Sequence, residues 1–365
     1  MIFSKYMNTF AFNFRMARNS FLRKPRFLLR VIRNYALAIL PGTIKPLRFA
    51  DVSVTHTCNL KCVHCSEQGL RRDAKDALTI EEYKLLAQKL IDEGILIFHF
   101  TGGEPLMRKD LEDVIRAFQP DRCMISIQSN SSLATRERLQ SLWDAGLDLF
   151  CVSIDGDEWN HDLFRQSAGS YAQCWETAKI AAEIGLRVSI STVITHRNVR
   201  SPMLEQLIIR TGEMGANCFF NLPVPVGRFQ NNVDDLFTAD DRKYMEGLIK
   251  KYPHCRTDFE SCYYKQGCSA LKEKFYITPE GDIIPCPFIQ IVCGNVRVDS
   301  IKDIRINGIR KIPELAQYLT ICPAAEDRDF QIKYNYFTDA PLIAGQDPAT
   351  GEPILPAPSK SSTNG

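Results

Sequence analysis

The chain has 365 residues, of which 45% are hydrophobic and 24% are charged, and its formal net charge is +2. This composition is ordinary for a soluble globular protein and excludes wholesale disorder, a collagen-like fibre and a heptad-dominated rod. The apolar runs fall short of the ~18 residues that a membrane span requires, so a transmembrane protein is not expected.

The near-neutral total conceals a basic N-terminal segment. Residues 1–50 contain ten basic side chains and no acidic one, and the first carboxylate is Asp51. From Pro25 to Leu40, arginines recur at helical spacing opposite an aliphatic face, which predicts a basic amphipathic helix within residues 1–48. Such a helix fits the interface of an anionic membrane. The alternatives are an organelle transit peptide, a nucleic-acid-binding tail and a helix docked on the protein body.

The order of elements between residues 49 and 253 predicts the fold. Short β-rich runs alternate with amphipathic helical segments, which indicates a parallel sheet covered by helices. Six such units predict an α/β fold, a partial (β/α)6 barrel of the TIM type, whose active face is formed by the loops after the strands. The predicted strands are 51–55, 95–100, 124–128, 147–154, 187–194 and 216–222, and the predicted helices are 80–93, 109–118, 135–145, 171–184, 203–214 and 239–251.

The cysteines indicate metal binding. There are thirteen, an odd number, and no secretory h-region with a cleavage site precedes them, so we expect a reducing, cytoplasmic compartment. Cys58, Cys62 and Cys65 share one short loop after the first predicted strand. Three thiolates can hold three irons of a cubane cluster and leave the fourth iron open. The alternative is a structural zinc site with His56 or His64 as its fourth ligand.

The second predicted strand runs into the sequence Gly102-Gly103-Glu104-Pro105. Two glycines allow a ligand to approach the backbone closely, and a carboxylate beside them can bind an ammonium group. This motif and the cysteine loop lie at the same end of the predicted sheet. Together they resemble the radical S-adenosylmethionine (radical SAM) superfamily, and the resemblance covers roughly residues 50–325.

The resemblance implies a mechanism and assigns residues to it. Members of this superfamily bind a [4Fe–4S] cluster through three cysteines, here Cys58, Cys62 and Cys65. The cluster cleaves S-adenosylmethionine reductively to a 5′-deoxyadenosyl radical, which abstracts a hydrogen atom from the substrate. Two of the residues that the resemblance assigns to the cofactor have an alternative role: packing within a strand for Ser153, and a charge on a helix surface for Arg165. By motif position, the cofactor-binding residues are His64, Gly102, Gly103, Glu104, Ser129, Ser153 and Arg165, although Ser131 replaces the glycine usual after the third strand.

A second group of cysteines follows residue 253. Cys262-x5-Cys268, a predicted β-hairpin that turns at Gly281, and Cys286 resemble the SPASM/twitch extension of the same superfamily, which binds auxiliary iron–sulfur clusters. The dense Cys-x2-Cys run of a second such cluster is missing, so one auxiliary cluster is expected. Simple burial of these thiols is the alternative. The predicted ligands are Cys262, Cys268, Cys286 and Cys322, with Cys255 and Cys293 as competitors.

The sequence therefore predicts four parts. Residues 1–48 form the basic amphipathic segment, residues 49–253 the radical SAM core, residues 254–339 a SPASM/twitch-like domain, and residues 340–365, which are rich in Pro, Gly and Ser, a disordered tail.

The predicted function is that of an enzyme that abstracts a hydrogen atom from its substrate. An interfacial helix would favour a membrane lipid or polyprenoid as substrate and a location on the inner membrane face, whereas the resemblance to SPASM enzymes favours a peptide. A flavodoxin or ferredoxin is expected as electron donor, and no nucleic acid is expected as partner. A non-catalytic iron–sulfur or zinc-binding protein is the alternative of another class, and the intact Gly-Gly-Glu motif counts against it.

Overall fold

Ten strands form one continuous sheet in the part of the chain that the computed structural model describes, which is residues 23–39, 47–70, 77–230, 232–258 and 267–335. From β1 to β7, each strand pairs in parallel with the next one along the chain. The strands are β1 (Phe49–Thr55), β2 (Ile97–Gly102), β3 (Met124–Ser129), β4 (Leu149–Ser153), β5 (Arg187–Val193), β6 (Asn217–Asn221), β7 (Cys255–Thr257), β8 (Lys274–Ile277), β9 (Asp282–Ile284) and β10 (Gly294–Asn295).

Helices connect the parallel strands, as the sequence predicts, and the α/β fold of a partial TIM-type barrel is confirmed. Six of the described helices begin with a side-chain N-cap; Thr79, for example, forms a capping box with Glu82. The helices are α1 (Pro25–Ile39), α2 (Ile80–Asp92), α3 (Leu111–Ala117), α4 (Arg136–Ala145), α5 (Glu158–Arg165), α6 (Ser170–Ile184), α7 (Pro202–Glu213), α8 (Ala239–Lys251), α9 (Ile301–Lys311), α10 (Pro323–Glu326) and α11 (Arg328–Asn335).

The predicted hairpin joins the barrel directly. Strands β8 and β9 are antiparallel, and Gly281 turns between them with φ +87°, a left-handed conformation that favours glycine. Strand β8 also pairs in parallel with β1, so the sheet continues across residue 253. Because β7 and β8 do not pair with each other, the barrel keeps an open seam between them. The division of the chain at residues 48, 253 and 339 stays a prediction, and residues 340–365 lie outside the described part.

The two faces of the sheet differ in polarity. On β1, Ala50, Val52 and Val54 are buried against the helices, so the residues between them face the interior of the barrel, which we call the lumen. Polar pairs bridge neighbouring strands on this inner face. They include His99 Nδ1 with Ser126 Oγ at 2.8 Å, Ser189 Oγ with Cys151 Sγ at 2.9 Å, and Asn221 Nδ2 with Ser191 Oγ at 2.6 Å.

Helix α1 closes the end of the barrel that is opposite the loops after the strands. Phe27, only 2% exposed, packs with Leu96, Met124, Leu149 and Cys151. Leu96, Met124 and Leu149 lie at the N-terminal ends of β2, β3 and β4, and Cys151 faces the lumen. None of the helices described here combines the length and the apolar composition that crossing a bilayer requires.

Two basic side chains of this region, Lys24 and Arg30, bind the body of the protein. Arg30 donates hydrogen bonds of 2.7 Å to the carbonyls of Ile91, Ile95 and Arg122, which lie in the last turn of α2 and in the loops that follow α2 and α3. Lys24 forms a buried ion pair with Asp148. Carbonyl groups at helix C-termini attract cations because they carry partial negative charge. The docked helix, one of the alternatives, therefore describes α1, and Lys24 and Arg30, two of the basic side chains of the segment, are used in this docking.

We expect Lys24→Met to lower the free energy of unfolding by about 3–5 kcal/mol, because it removes the ammonium partner of the buried Asp148 carboxylate. Arg26→Met is the matched control: Arg26 pairs with Asp121 at the surface, where their side chains are 76% and 52% exposed, so it should cost at most about 1 kcal/mol. Urea unfolding followed by circular dichroism measures both values. Equal losses in the two variants would contradict this account of α1.

Candidate active site

The cysteine loop lies at the carboxyl edge of the sheet, directly after β1. Cys58, Cys62 and Cys65 form no disulfide within the described residues; Cys62 is buried and the other two are half-buried. The Cys58 sulfur accepts hydrogen bonds from the Leu60 amide at 3.5 Å and from Asn130 Nδ2 at 3.9 Å. Donors of this kind stabilise a thiolate ligand. Within the described residues, no three Cys, His, Asp or Glu side chains form a ready site for a single metal ion. The donor set, three thiols on one loop, fits the predicted cluster.

Two neighbouring segments hold this loop in place. The Val63 amide donates to the Phe164 carbonyl at 3.0 Å, and the Arg228 amide donates to the Cys65 carbonyl at 3.0 Å. Gly227 allows the second contact, since a Cβ there would lie 2.3 Å from the Cys65 oxygen. The loop is thus clamped between α5 and the segment after β6.

His56 does not support the zinc alternative. His56 Nε2 lies 3.1 Å from a carboxylate oxygen of Glu280, and Nδ1 lies 3.8 Å from Glu67. Burial alone would lower the pKa of His56, but the hydrogen bonds of Glu280 and Glu67 raise it to about 9. A zinc ligand must be a neutral imidazole. His64 instead stacks on Phe164 with 4.4 Å between ring centroids, and burial lowers its pKa to about 3.

The two glycines after β2 allow the chain to approach itself. A Cβ on Gly103 would lie 2.1 Å from the Thr57 carbonyl oxygen, and one on Gly102, whose φ is +120°, would lie 2.3 Å from the Thr55 oxygen. Hydrogen bonds join the same segments, from the Gly103 amide to Thr55 at 2.7 Å and from the Glu104 amide to Thr57 at 2.8 Å. The close contact that requires glycine here is therefore with the cysteine loop, whereas the sequence suggested a ligand.

Glu104 is a buried carboxylate with three donors. It is 1% exposed and accepts hydrogen bonds from Ser129 Oγ at 2.8 Å, the Asn130 amide at 2.7 Å and the Leu106 amide at 3.1 Å. Burial raises the pKa of Glu104, and these donors act against that rise. Ser129, predicted to bind cofactor, thus contacts Glu104. Asn130, to which the sequence assigned no role, joins this carboxylate to Cys58.

Ser131 has the backbone conformation of the glycine that it replaces. Its φ is +66°, in the left-handed region, and its side chain is buried. Such a conformation costs a non-glycine residue on the order of 1 kcal/mol. The departure from the usual motif has therefore not changed the course of the backbone after β3.

Arg165 is buried at the mouth of the barrel, so the alternative of a helix-surface charge is wrong. It is 9% exposed, and its Nε donates to Asp155 at 2.7 Å. Burial alone would lower the pKa of Arg165, but Asp155 raises it above the usual range, with Cys62 as a further neighbour. In the described part of the chain its two terminal nitrogens have no hydrogen-bond partner. Ser153 accepts from Gln128 Nε2 at 2.5 Å.

Three of the four predicted auxiliary ligands come together. Burial is the largest cause that raises the pKa of Cys322, and the neighbouring Cys268 and Cys286 raise it further. Burial, followed by Cys268, raises the pKa of Cys286 to about 12. The three thiols are therefore close enough to act on one another. Cys262 lies outside the described residues. The competitors lie elsewhere: Cys255 adjoins Cys218 on the neighbouring strand, and Cys293 packs against Gly308 of α9.

Comparisons with known proteins agree with this geometry. The sequence matches the family profile of the radical SAM superfamily over residues 52–205 and that of the SPASM iron–sulfur cluster-binding domain over residues 268–320. The chain belongs to the radical SAM superfamily. It is an enzyme of this class with a SPASM-type extension, and its cofactors are [4Fe–4S] clusters and S-adenosylmethionine.

Its relatives have different substrates by name. An AdoMet-dependent heme synthase of Nitratidesulfovibrio vulgaris is 26% identical, over 80% of this chain and 90% of the relative. The subtilosin biosynthesis protein AlbA of Bacillus subtilis is 27% identical, over 70% of this chain and 58% of the relative. Streptococcus suis SuiB, solved with its precursor peptide SuiA, superposes with a TM-score of 0.59 over 77% of this chain and 68% of SuiB. At 17% identity, that likeness shows the fold alone.

We expect Gly103→Ala to destabilise the enzyme by several kcal/mol and to lower its iron content, because the new Cβ would overlap the Thr57 carbonyl. Gly247→Ala is the control, since nothing lies within 4 Å of its Cβ position in the middle of α8. It should stabilise the protein by about 0.5–1 kcal/mol. Iron analysis and urea unfolding test both variants, and an unchanged iron content in Gly103→Ala would contradict the role given to this glycine.

Proposed function

We propose that this radical SAM enzyme abstracts a hydrogen atom from a hydrophilic substrate, a peptide, which binds in the lumen of the barrel. The observation that carries the proposal is the polarity of the lumen. Its strands present hydroxyl, amide, imidazole and charged groups inward, on a face that a TIM-type barrel usually fills with branched apolar residues. A polar ligand can use the hydrogen-bonding capacity that these groups keep beyond their cross-strand pairs, whereas an apolar ligand cannot.

The same observation argues against the lipid or polyprenoid substrate that the sequence suggested. An isoprenoid or acyl chain in this lumen would remove water from its polar groups without replacing the hydrogen bonds. Helix α1, the other ground for a lipid, directs Lys24 and Arg30 to the protein. The name of AlbA, a bacteriocin biosynthesis protein, is consistent with peptide chemistry.

The site residues take the roles that their surroundings suit. When bound and reduced by one electron, S-adenosylmethionine supplies a 5′-deoxyadenosyl radical. We assign the ammonium group of S-adenosylmethionine to the segment Gly102–Glu104, because Ser129 and Asn130 fix the Glu104 carboxylate. Arg165 offers its terminal nitrogens to a carboxylate, and Phe164 orients the His64 ring beside the adenine site. Ser153 adds a hydroxyl nearby.

The iron–sulfur ligands and the partners complete the proposal. Cys58, Cys62 and Cys65 hold the cluster that binds S-adenosylmethionine, and Cys268, Cys286 and Cys322, together with Cys262, hold one auxiliary cluster. A flavodoxin or ferredoxin as electron donor and a cytoplasmic location stay predictions.

We expect Cys62→Ala to abolish 5′-deoxyadenosine formation while an auxiliary iron–sulfur signal remains, because only the first cluster loses a ligand. Cys123→Ala is the control: this thiol is buried below the barrel and donates to the Phe118 carbonyl at 3.0 Å. It should keep both clusters and full cleavage. Anaerobic reconstitution, electron paramagnetic resonance and chromatography of the nucleoside products measure these outcomes. Full cleavage by Cys62→Ala would refute the cluster assignment.

The substrate class is tested with fractions of a cell extract. The reconstituted enzyme receives S-adenosylmethionine and dithionite with an aqueous peptide fraction, with that fraction after proteinase treatment, or with a lipid extract. We expect 5′-deoxyadenosine to rise above the uncoupled rate only with the intact peptide fraction. A rise with the lipid extract would overturn the proposal, as would a rise that survives the proteinase.

A further inference from the structure

Three charged side chains of the lumen have no part in the cofactor sites. Asp51 lies on β1, Asp258 directly follows β7, and Lys274 begins β8. Asp51 lies between the outward-facing residues Ala50 and Val52 and therefore projects inward. Asp258 and Lys274 flank the open seam between β7 and β8. The charges act on one another: after burial, Lys274 and Asp258 are the strongest influences on the Asp51 carboxyl.

These three groups are neighbours without being paired. In the described part of the chain none of them makes a side-chain hydrogen bond or a salt bridge. Elsewhere in the barrel, buried charges are paired directly, as in Lys24 with Asp148 and Arg165 with Asp155. Asp51 and Lys274 are half-buried, and because they project inward, the water that reaches them lies inside the barrel.

The local charge is unbalanced. Two carboxyl groups face one ammonium group, which leaves one negative charge unmatched; Asp51 and Lys274 are half-buried, and Asp258 is exposed at the edge of the lumen. Isolated charge is costly in such surroundings, and a ligand of opposite charge removes that cost.

We propose that Asp51, Asp258 and Lys274 form the recognition site for a cationic side chain of the substrate, the alkylammonium of lysine or the guanidinium of arginine. The two carboxylates bind the cation, and Lys274 donates to a carbonyl oxygen of the same peptide. This inference rests on the proposed function, because it names the part of a peptide that the lumen recognises.

The pH dependence of binding has a definite sign. The pKa of Asp51 is raised to about 7, and burial is the largest cause. Lys274 lowers this pKa, whereas Asp258 and Glu67 raise it. The residues beside Asp51 in the sheet are His99, whose pKa is lowered to about 4 by burial, and Tyr276, whose pKa is raised by burial, so both are uncharged at neutral pH. A bound cation favours ionised Asp51. Affinity should therefore be full above pH 7 and fall as the pH drops below 7.

The test is a binding measurement on the anaerobically reconstituted holoenzyme. N-acetyl-lysine methylamide is the probe, and N-acetyl-norleucine methylamide is the uncharged analogue of the same length. We expect the lysine derivative to bind about tenfold more tightly at pH 8 than at pH 6, and the norleucine derivative to bind weakly at both. Saturation-transfer NMR or calorimetry gives the affinities without any turnover.

Variants assign the effect to residues. Asp51→Asn should weaken lysine binding about tenfold and remove its pH dependence, and Asp258→Asn should weaken binding but keep the pH dependence. Asp144→Asn, which removes an exposed charge on α4, is the control and should change neither. Because Asp258 is accessible to water, its variant keeps the test decisive if Asp51→Asn fails to fold.

Two outcomes overturn the inference: equal affinity for the lysine and norleucine derivatives, or lysine binding that neither Asp variant weakens. These are distinguishable from a failure of the proposed function. If the probe binds as expected but the peptide fraction does not stimulate cleavage, the site stands and the peptide substrate is refuted. If peptide stimulation persists while the probe does not bind, the peptide substrate stands and the recognition site is refuted.

Discussion

The active face depends on a backbone contact between the end of β2 and the cysteine loop. Amide groups of Gly103 and Glu104 donate to carbonyls of Thr55 and Thr57, and no side chain larger than hydrogen fits between them. This contact places the loop against the sheet before any cofactor is considered. The Glu104 carboxylate then extends the network to the end of β3, where Asn130 returns to Cys58. Three strand ends are thus tied to one thiol, and the site is preorganised by the chain itself.

Helix α1 shows why a basic amphipathic segment does not identify its own partner. Lipid phosphates and helix C-terminal carbonyls are both negative, so the same arginine spacing suits either one. The sequence holds no information about which of them is present. The structure shows a protein partner for one of these arginines: Arg30 spans carbonyls of three separate segments at the base of the barrel, where the polarity of the parallel α/β units gathers the C-termini of the helices. Part of the excess of basic residues near the N-terminus therefore serves to dock α1 on the protein.

The parts of the fold that the sequence could predict are those with a local signal. The six predicted strands agree with β1 to β6 within about two residues at each end, because short β-rich runs alternate with amphipathic helical segments along the chain. Strand β7 has three residues and is too short for any periodicity. The pairing of β8 with β1 is a tertiary contact across more than 200 residues, which no local pattern records. At the site, the cysteine loop and Glu104 belong to motifs, whereas the contacts of Asn130 with Glu104 and Cys58 join residues distant in sequence.

Lys274 links the two chemical regions of the lumen. Among the groups that raise its pKa are Asp51 and Asp258 on one side and the thiols Cys286 and Cys268 on the other. One ammonium group therefore acts on the carboxylates of the lumen and on the cysteines assigned to the auxiliary cluster. Its position follows from β8, whose parallel pairing with β1 sets Lys274 beside Phe49 and Tyr276 beside Asp51. The hairpin extension thus completes the lumen as well as carrying cysteines, and a barrel without β8 would lack the only cation among these three lumen charges.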